Sequence, residues 1–352
     1  MGARRQMPVL IDISAKDHHL YAKAKCDAEK ALGGRLGESV DCVNIGLINN
    51  MPDSALVSTE RQLFDLLSAA AGKVVVRLHL YSMETAPRSD WGRDYTRRFY
   101  LGVKDLLDED LDGVIVTGAE PKAASLTEEP YWRSFGQIID WAKENTVSSV
   151  FSCLAVHGAV LHLDGIERRS LRSKCIGVFA QTKTAAHALM QDVPLSLRIP
   201  HSRWNEVDEH ALLQRGYTIL TKSAEAGVDT FLKNHAKSLF VYFQGHPEYE
   251  AHSLLGEYRR DIGRFLRREC EIYPTTPKGY FNKHAKESLI TFERKAVLDR
   301  RPELLTRFPA DELARHLRNS WHLSAKRIYR NWLQYLSTHK ARRLSSALAN
   351  AV

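Results

Sequence analysis

The sequence lacks the features that place a protein in or across a membrane. No run of about 18 apolar residues occurs in the chain, so a membrane-spanning helix is not expected. The first residues, MGARRQMPVLIDIS, are basic but contain no apolar stretch typical of a secretory signal. We therefore expect a cytoplasmic protein without a membrane partner.

Cysteine is scarce and forms no ligand pattern. The five cysteines are odd in number and widely separated, which favours reduced thiols over a disulfide framework. The sequence contains no Cys-x-x-Cys pair, no His-Glu-x-x-His motif and no glycine-rich phosphate loop, so neither a metal nor a tightly bound cofactor is predicted. The cysteines are Cys26, Cys42, Cys153, Cys175 and Cys270.

Positive charge is concentrated at one end of the chain. Residues 278–352, the basic C-terminal segment, carry 16 Lys and Arg against 6 Asp and Glu, whereas the rest carries 34 against 36. Such a segment can bind nucleic acid or attract a phosphorylated cofactor. It also has aromatic residues at helical spacing, which favours a packed helix with a solvated basic face. We therefore predict no nucleic-acid partner. The aromatic residues are Trp321, Tyr329, Trp332 and Tyr335.

The hydrophobic pattern alternates between strands and helices, which favours a parallel sheet with helices on both faces. The 352 residues, 44% of them apolar, suffice for one large domain or two. We predict an N-terminal extension (1–41), an α/β domain (42–271) and a basic, largely helical C-terminal extension (272–352). Predicted strands are 42–49, 73–81, 112–117, 147–152 and 238–243, with a β-rich region over 175–243. Predicted helices are 15–32, 58–71, 90–107, 131–145, 154–163 and 250–270.

A thiol and a distant histidine follow the ends of two predicted strands. Cys153 lies at a strand-to-helix junction, where the helix N-terminus favours a thiolate. His246 and Glu248, in GHPEYE, follow the strand 238–243. Since ligands bind at the carboxyl ends of strands in open sheets, the three can meet as nucleophile, base and orienting carboxylate. A buried structural cysteine is the alternative interpretation. His157 is a competing base, for which a structural role is favoured.

This combination resembles the class I glutamine amidotransferase-like superfamily, and longer stretches resemble the homoserine O-succinyltransferase (homoserine transsuccinylase) family. The resemblance implies a flavodoxin-like, three-layer α/β sandwich with a mostly parallel sheet, followed here by the C-terminal helical extension. The stretches span residues 45–336 in the family's order: IGLINNMPDSAL, TERQLFDLL, DGVIVTGA, VFSCLAVHGAV, KCIGVF, PHSRWNEV, SAEAGV, GHPEYE, EYRRD and NWLQYL.

The resemblance also implies a reaction of methionine biosynthesis. In a ping-pong transfer, Cys153 would take a succinyl group from succinyl-CoA as a thioester, and the hydroxyl of L-homoserine would then attack it. His246 would be the general base, and Glu248 its partner.

Three further residues fall on the family's substrate-binding positions. They are Lys174 in KCIGV, Ser202 in PHSRW and Arg260 in EYRRD. A guanidinium can hold the carboxylate of an amino-acid acceptor with two hydrogen bonds. The resemblance implies small-molecule substrates, an acyl-CoA co-substrate and a homodimer.

The sequence departs from the family's pattern at two places. Asp53 and Ser54 stand where the family usually has two lysines, and Lys122 stands at the position that discriminates acyl donors. Family members have a small residue there for succinyl and glutamate for acetyl. An ammonium group can pair with the free carboxylate of a succinyl group, so the sequence favours succinyl-CoA.

Several alternatives stay open. The same machinery can serve acetyl-CoA or another amino-acid alcohol, and a glutaminase-like cysteine hydrolase would use water as the acceptor. From a different class, the chain could be a non-catalytic protein that docks its basic C-terminal segment on nucleic acid.

Overall fold

Strands and helices alternate from residue 42 onward and build a large central sheet. The computed structural model describes residues 9–12, 17–32 and 42–350. Within those ranges, no helix is both long and apolar enough to cross a membrane. The strands are β1 (Val9–Asp12), β2 (Val43–Ile48), β3 (Val76–Tyr81), β4 (Gly113–Val116), β5 (Ser148–Ser152), β6 (Arg168–Lys183), β7 (Ser196–Val207), β8 (Thr218–Ile219), β9 (Thr221–Ser223), β10 (Gly227–Val228), β11 (Thr230–His235) and β12 (Ser238–Phe243).

The helices fall between the strands and, after β12, follow one another. Short 3-10 turns occur at Leu126–Glu128, Ala188–Met190 and Pro302–Arg307. The α-helices are α1 (Tyr21–Leu32), α2 (Asp53–Ala70), α3 (Asp90–Phe99), α4 (Val103–Leu107), α5 (Trp132–Asn145), α6 (Leu154–Asp164), α7 (Glu209–Gln214), α8 (Ser253–Leu266), α9 (Lys283–Leu298), α10 (Ala310–Ala314) and α11 (His322–Asn350).

Eight of the described strands form the central sheet, in the order β1-β3-β2-β4-β5-β12-β11-β8. Neighbours from β1 to β12 are parallel, whereas β11 and β8 are antiparallel at one edge. The other four form an antiparallel sheet, β10-β9-β6-β7. Parallel neighbours require crossover connections, which explains why helices separate the strands along the chain. The predicted mostly parallel α/β sheet is confirmed.

Helices cover both faces of the central sheet. On one face, α2 and α11 pack Phe64 and Leu333 onto β2 and β3. On the other, α5 and α6 pack Ile138 and Val156 against residues such as Val114. The strands between them are buried on both faces, which accounts for their continuous apolar runs. The predicted three-layer sandwich is confirmed.

The basic C-terminal segment is a packed part of the fold. Helices α8, α9 and α10 share a separate apolar core that includes Tyr258, Phe292 and Leu313. Helix α11 then returns to the central sheet, where the buried indole of Trp332 donates a hydrogen bond to Ser148 Oγ at 3.0 Å. The predicted C-terminal helical extension is confirmed, and its aromatic residues form the packed face.

The N-terminal residues also reach the central sheet. Strand β1 pairs with β3. Leu20, just before α1, and Ala24, within α1, join the same core as α2. The division at residues 41 and 271 stays a prediction, although elements from all three segments contact the central sheet.

Several helices differ in extent from the predictions. The helix predicted for 90–107 is interrupted because Leu101 pairs with Tyr81 at the end of β3. Helix α2 begins earlier than predicted, at Asp53, whose carboxylate suits a helix N-terminus. Of the helix predicted for 15–32, residues 13–16 lie outside the described ranges, and α1 begins at Tyr21.

Replacing Trp332 by Ala should destabilise the protein strongly. The indole is 2% exposed and fills the contact between α11 and the sheet, so its loss should cost roughly 3–5 kcal/mol of unfolding free energy. The control is Leu323→Ala on the same helix, because Leu323 is 72% exposed and should change stability by less than about 0.5 kcal/mol. Urea unfolding followed by circular dichroism compares the two, and equal midpoints would contradict this packing.

Candidate active site

Cys153 occupies a strained turn between β5 and α6. Its φ is 55° and its ψ is −116°, values that non-glycine residues rarely adopt. A hydrogen bond of 2.8 Å from its N–H to the carbonyl of Phe243 holds the turn in place. Such a strand-to-helix elbow presents a nucleophile above the edge of a sheet. The opposing loop approaches it closely, since a Cβ on Gly118 would lie 2.9 Å from the Leu154 nitrogen.

His246 meets Cys153 because their strands are neighbours. Strands β5 and β12 are parallel, and Ser152 pairs with Phe243 at their carboxyl ends. The imidazole of His246 is buried and lies close enough to Cys153 for that side chain to influence its pKa. Its Nδ1 lies 2.8 Å from Glu248 Oε1. The structure therefore brings together the three predicted catalytic side chains.

The charge on His246 follows from its two partners. Burial by itself would lower the pKa of His246, but the negative charges of Cys153 and Glu248, with their hydrogen bonds, raise that pKa well above its usual value. The arrangement thus favours the charged, imidazolium form of His246. A cysteine beside such a group can attack an acyl group, and the imidazolium can return a proton to a leaving group.

Tyr249 is a site residue that the sequence reasoning missed. Its ring stacks on His246 with centroids 4.1 Å apart, and its hydroxyl donates to Glu257 on α8. Burial, followed by the charge of Glu257, raises the pKa of Tyr249 well above its usual value. The tyrosine is therefore a neutral donor that connects His246 to α8. Its place in GHPEYE, next to Glu248, was the available signal.

The three residues predicted to bind substrate lie together around two carboxylates of α8. Lys174 Nζ is 2.6 Å from Asp261 and 3.7 Å from Glu257. The Ser202 hydroxyl donates to Glu257, and the Arg260 guanidinium lies 3.6 Å from the same carboxylate. Both acidic residues belong to the stretch EYRRD, but sequence reasoning singled out only Arg260. The cluster carries both signs of charge, which suits a zwitterionic amino acid.

Two other histidines near the site are buried and neutral. His157 Nε2 lies 3.2 Å from Gln244 Oε1, and burial lowers the pKa of His157 to about 3. His201 contacts Gln181 at 3.0 Å, and burial together with the charges of Arg203 and His246 lowers its pKa well below the usual value. Neither imidazole suits a general base, which agrees with a structural role for His157.

A cavity of about 890 Å³ is lined by residues of the loops after β2, β3 and β4, and neither Cys153 nor His246 lines it. Asn50, Met83 and Ala119 also line a narrow apolar recess that reaches Leu154, the residue after Cys153. The Nδ2 of Asn50 is buried and has no hydrogen-bond partner among the described residues. Buried amide donors without partners are rare in folded proteins. This unsatisfied donor belongs to a residue that lines the cavity.

The residues that depart from the family's pattern line this cavity. Asp53 accepts hydrogen bonds from Ser89 N–H at 2.7 Å and from Arg88 at 3.3 Å. Burial raises the pKa of Asp53, but these hydrogen bonds outweigh it and lower the pKa overall. Arg88 also donates to the carbonyls of Asn49 and Met51 at 2.9 and 3.0 Å. Asp53 and Arg88 therefore fix the loop before α2.

Lys122 lies apart from the catalytic triad, on the rim of the cavity. The buried carboxylate of Glu129 accepts the backbone N–H groups of Lys122 and Ala123 at 2.6 and 2.7 Å and so fixes the loop. The neighbouring Glu120 pairs with Arg264 at 2.8 Å. Within the described part of the chain, the Lys122 ammonium forms no ion pair, which leaves it available to an anionic ligand.

One group of metal-ligating side chains occurs among the described residues, away from the triad. It comprises His18, His19 and Glu60. His18 Nδ1 accepts the Leu20 N–H at 3.3 Å, so its Nε2 carries the proton that is donated to Glu60 at 3.0 Å. Tyr95 and Tyr100 donate to the same carboxylate. This network holds residues 17–20 on α2 and leaves no free imidazole lone pair on His18 for a metal.

Comparisons with known proteins supply the family. A model described as homoserine O-succinyltransferase matches residues 31–343. Curated proteins of that name from Rhodopseudomonas palustris and Bradyrhizobium japonicum are 45% and 47% identical, over 84% of this chain and 89% and 90% of theirs. Among solved structures, a glutamine amidotransferase from Thermotoga maritima is 14% identical with a TM-score of 0.47, covering 84% of this chain and 99% of that one. By the family model and the curated relatives, this chain belongs to the homoserine O-succinyltransferase family.

Proposed function

We propose that the chain transfers a succinyl group from succinyl-CoA to the hydroxyl of L-homoserine, through a thioester on Cys153, as a step of methionine biosynthesis. The observation that carries this proposal is the placement of the Cys153 elbow beside His246, itself hydrogen-bonded to Glu248, at the ends of two parallel strands. Membership of the family supplies the substrates. The homodimer and the cytoplasmic location stay predictions.

In the first half-reaction, the Cys153 thiolate attacks the thioester carbonyl of the donor. The negative charge on the carbonyl oxygen would be met by the Leu154 N–H, which belongs to the first turn of α6 and has no intrahelical acceptor. When the tetrahedral intermediate collapses, the carbon–sulfur bond to CoA breaks. His246 gives its proton to the departing thiolate, and Cys153 keeps the succinyl group.

In the second half-reaction, the neutral His246 takes a proton from the homoserine hydroxyl as that oxygen attacks the Cys153 thioester. Glu248 stabilises the imidazolium that forms. Collapse then breaks the bond to Cys153 and releases O-succinylhomoserine, so the thiolate–imidazolium pair is restored. Every proton in the cycle passes through one imidazole, which explains why two side chains hold its ring: Glu248 in the plane and Tyr249 on the face.

The acceptor would lie against the mixed-charge cluster of Lys174, Ser202, Arg260 and Glu257. Arg260 can hold its carboxylate with two hydrogen bonds. Glu257 can accept hydrogen bonds from the ammonium group of the acceptor. Glu257 also accepts a hydrogen bond from the hydroxyl of Tyr249, whose ring stacks on the face of His246. Binding of a zwitterion would exchange protein ion pairs for protein–substrate ion pairs, and the number of buried charges without a partner would not increase.

The donor's acyl and pantetheine portion would occupy the large cavity, whose recess leads to Leu154. Lys122 on its rim would face the free carboxylate of the succinyl group, and Asn50 Nδ2 would donate to a carbonyl of the donor. Acetyl-CoA lacks that carboxylate and remains the alternative donor.

The decisive assay measures thiol release from succinyl-CoA and from acetyl-CoA, each with and without L-homoserine. We expect homoserine-dependent release from succinyl-CoA, and its loss in Cys153→Ala, because no other described thiol lies against His246. Mass spectrometry without acceptor should show one succinyl group on the wild-type chain only. Thiol release from acetyl-CoA alone would contradict succinyl-CoA as the donor. Thiol release that persists in Cys153→Ala would contradict the thioester mechanism.

Replacing Glu248 by Gln should lower the pKa of His246. The carboxylate is one of the two charges that raise this pKa, so without it the imidazolium should lose its proton at a lower pH. The turnover rate should fall about 10²–10⁴-fold, the range for impaired acid–base catalysis. Titration of the His246 ring by nuclear magnetic resonance reports the shift. Glu250→Gln is the control, since Glu250 is only partly buried and pairs with Arg61. An unchanged pKa of His246 in Glu248→Gln would show that Glu248 does not stabilise the imidazolium.

Reversing the charge of Lys122 should move the donor preference towards acetyl-CoA. Lys122→Glu replaces an attraction to the succinyl carboxylate by a repulsion, which should change the ratio of kcat/KM values by about 10-fold or more. Lys104→Glu makes the same charge change on α4, outside the cavity lining, and should leave the ratio unchanged. If both variants keep the wild-type ratio, Lys122 does not select the donor.

A further inference from the structure

A second cleft, of about 370 Å³, is lined by none of the predicted catalytic residues. Its walls come from the antiparallel sheet at Val178 and Arg198, from the chain before α9, and from residues 315–321 between α10 and α11. Four of its lining side chains are arginine or histidine, and none of the described residues that line it is acidic. The volume is within the range of small-molecule sites. The basic side chains are Arg198, Arg315, His316 and Arg318.

The three guanidinium groups lack acidic partners. Arg198 donates to the carbonyls of Val178 and Gly279 at 3.1 and 2.7 Å, and its buried Nε has no hydrogen-bond partner. Within the described ranges, neither Arg315 nor Arg318 forms an ion pair. Like charges gathered without a counter-charge repel one another, which disfavours the empty cleft.

The nearest acidic side chain on α10 is already engaged. Glu312, one turn before Arg315, accepts the Ser288 hydroxyl at 2.6 Å and lies 3.5 Å from His284. The cleft also reaches Asn282, the N-cap of α9, where a 16-residue helix adds partial positive charge. The electrostatic potential in the cleft is thus made positive by β7, by the N-terminus of α9 and by the segment after α10.

We propose that this cleft binds a small molecule that carries phosphate groups. Guanidinium groups bind phosphate oxygens with paired hydrogen bonds, and three of them around one cleft suit a di- or polyphosphate better than a lone carboxylate. The site also gives a role to the positive charge of the basic C-terminal segment, which the transfer reaction leaves unused.

The wall of this cleft is connected to the catalytic histidine. Trp321 lines the cleft, and its indole N–H donates to the Tyr249 carbonyl at 2.8 Å. Asn319 donates to the same carbonyl at 3.2 Å. Tyr249 in turn stacks on His246. A ligand in the cleft therefore contacts the segment that holds the stacking partner of His246.

Calorimetric titration of the full chain with inorganic pyrophosphate, at physiological ionic strength, tests the site directly. We expect saturable binding that the double variant Arg315→Gln/Arg318→Gln weakens 10-fold or more, by about 1.4 kcal/mol per factor of ten. The matched control is Arg294→Gln/Arg307→Gln, which removes the same charge from exposed positions outside the cleft. Both pairs are exposed, and unchanged urea midpoints confirm folding. Absence of binding, or equal weakening by the control, would overturn the proposal.

A kinetic experiment, which rests on the proposed function, distinguishes two possible ligands of the cleft: the nucleotide end of the acyl donor and a separate phosphorylated molecule. KM values for succinyl-CoA and for succinyl-pantetheine, which lacks the nucleotide, are compared in the double variant. A raised KM for succinyl-CoA alone identifies the ligand as the nucleotide end of the donor. Unchanged KM values with lost pyrophosphate binding identify a separate phosphorylated ligand. If the wild-type chain transfers no succinyl group, the proposed function fails, while the pyrophosphate titration still decides the site.

Discussion

The site depends on the parallel pairing of β5 with β12. Residues 148 and 239 are far apart in sequence, yet the register places Ser152 beside Phe243 and so delivers the elbow and the His-Pro-Glu turn to one edge of the sheet. The hydrogen bond from Cys153 N–H to the Phe243 carbonyl joins them directly. Because side chains alternate along a strand, a shift of one residue in this register would place the neighbouring groups on the wrong face. The geometry of the triad is thus a property of the sheet.

Around this edge, the buried charges depend on one another. His246 is held between Cys153 and Glu248, and Tyr249 on its face donates to Glu257, which also meets Lys174, Ser202 and Arg260. Removing one partner from such a network leaves another charge buried without a counter-charge. The resulting loss of folding free energy exceeds what a surface ion pair contributes to stability. Under the proposed function, acid–base chemistry and acceptor binding would therefore share Glu257, through Tyr249.

Much of this could be predicted from the sequence, because it follows from local pattern and strand ends. The α/β sandwich, the elbow at Cys153 and the approach of His246 needed only alternating elements and the rule for ligands at carboxyl ends. Lys174, read alone, would be a surface charge, yet its side chain is only 10% exposed and bound to Asp261. The stacking of Tyr249, the carboxylates of α8 and the cleft at Arg198 and Arg315 depend on tertiary contacts between distant segments, for which no local pattern exists.

The substitution of Asp53 for a family lysine places negative charge beside a cavity that would receive an anionic donor. The structure shows how this is compensated. The Arg88 side chain is only 3% exposed and neutralises Asp53 directly, while Glu120 on the same cavity is paired with Arg264. The cavity-lining charges that remain are those of Arg93, Arg97 and Lys122 against Glu84. Asp90 and Asp94 pair with the two arginines on the exposed surface of α3, where such pairs are weak and readily exchanged. The cavity therefore keeps a positive balance, and Asp53 serves to fix the loop that carries Asn50.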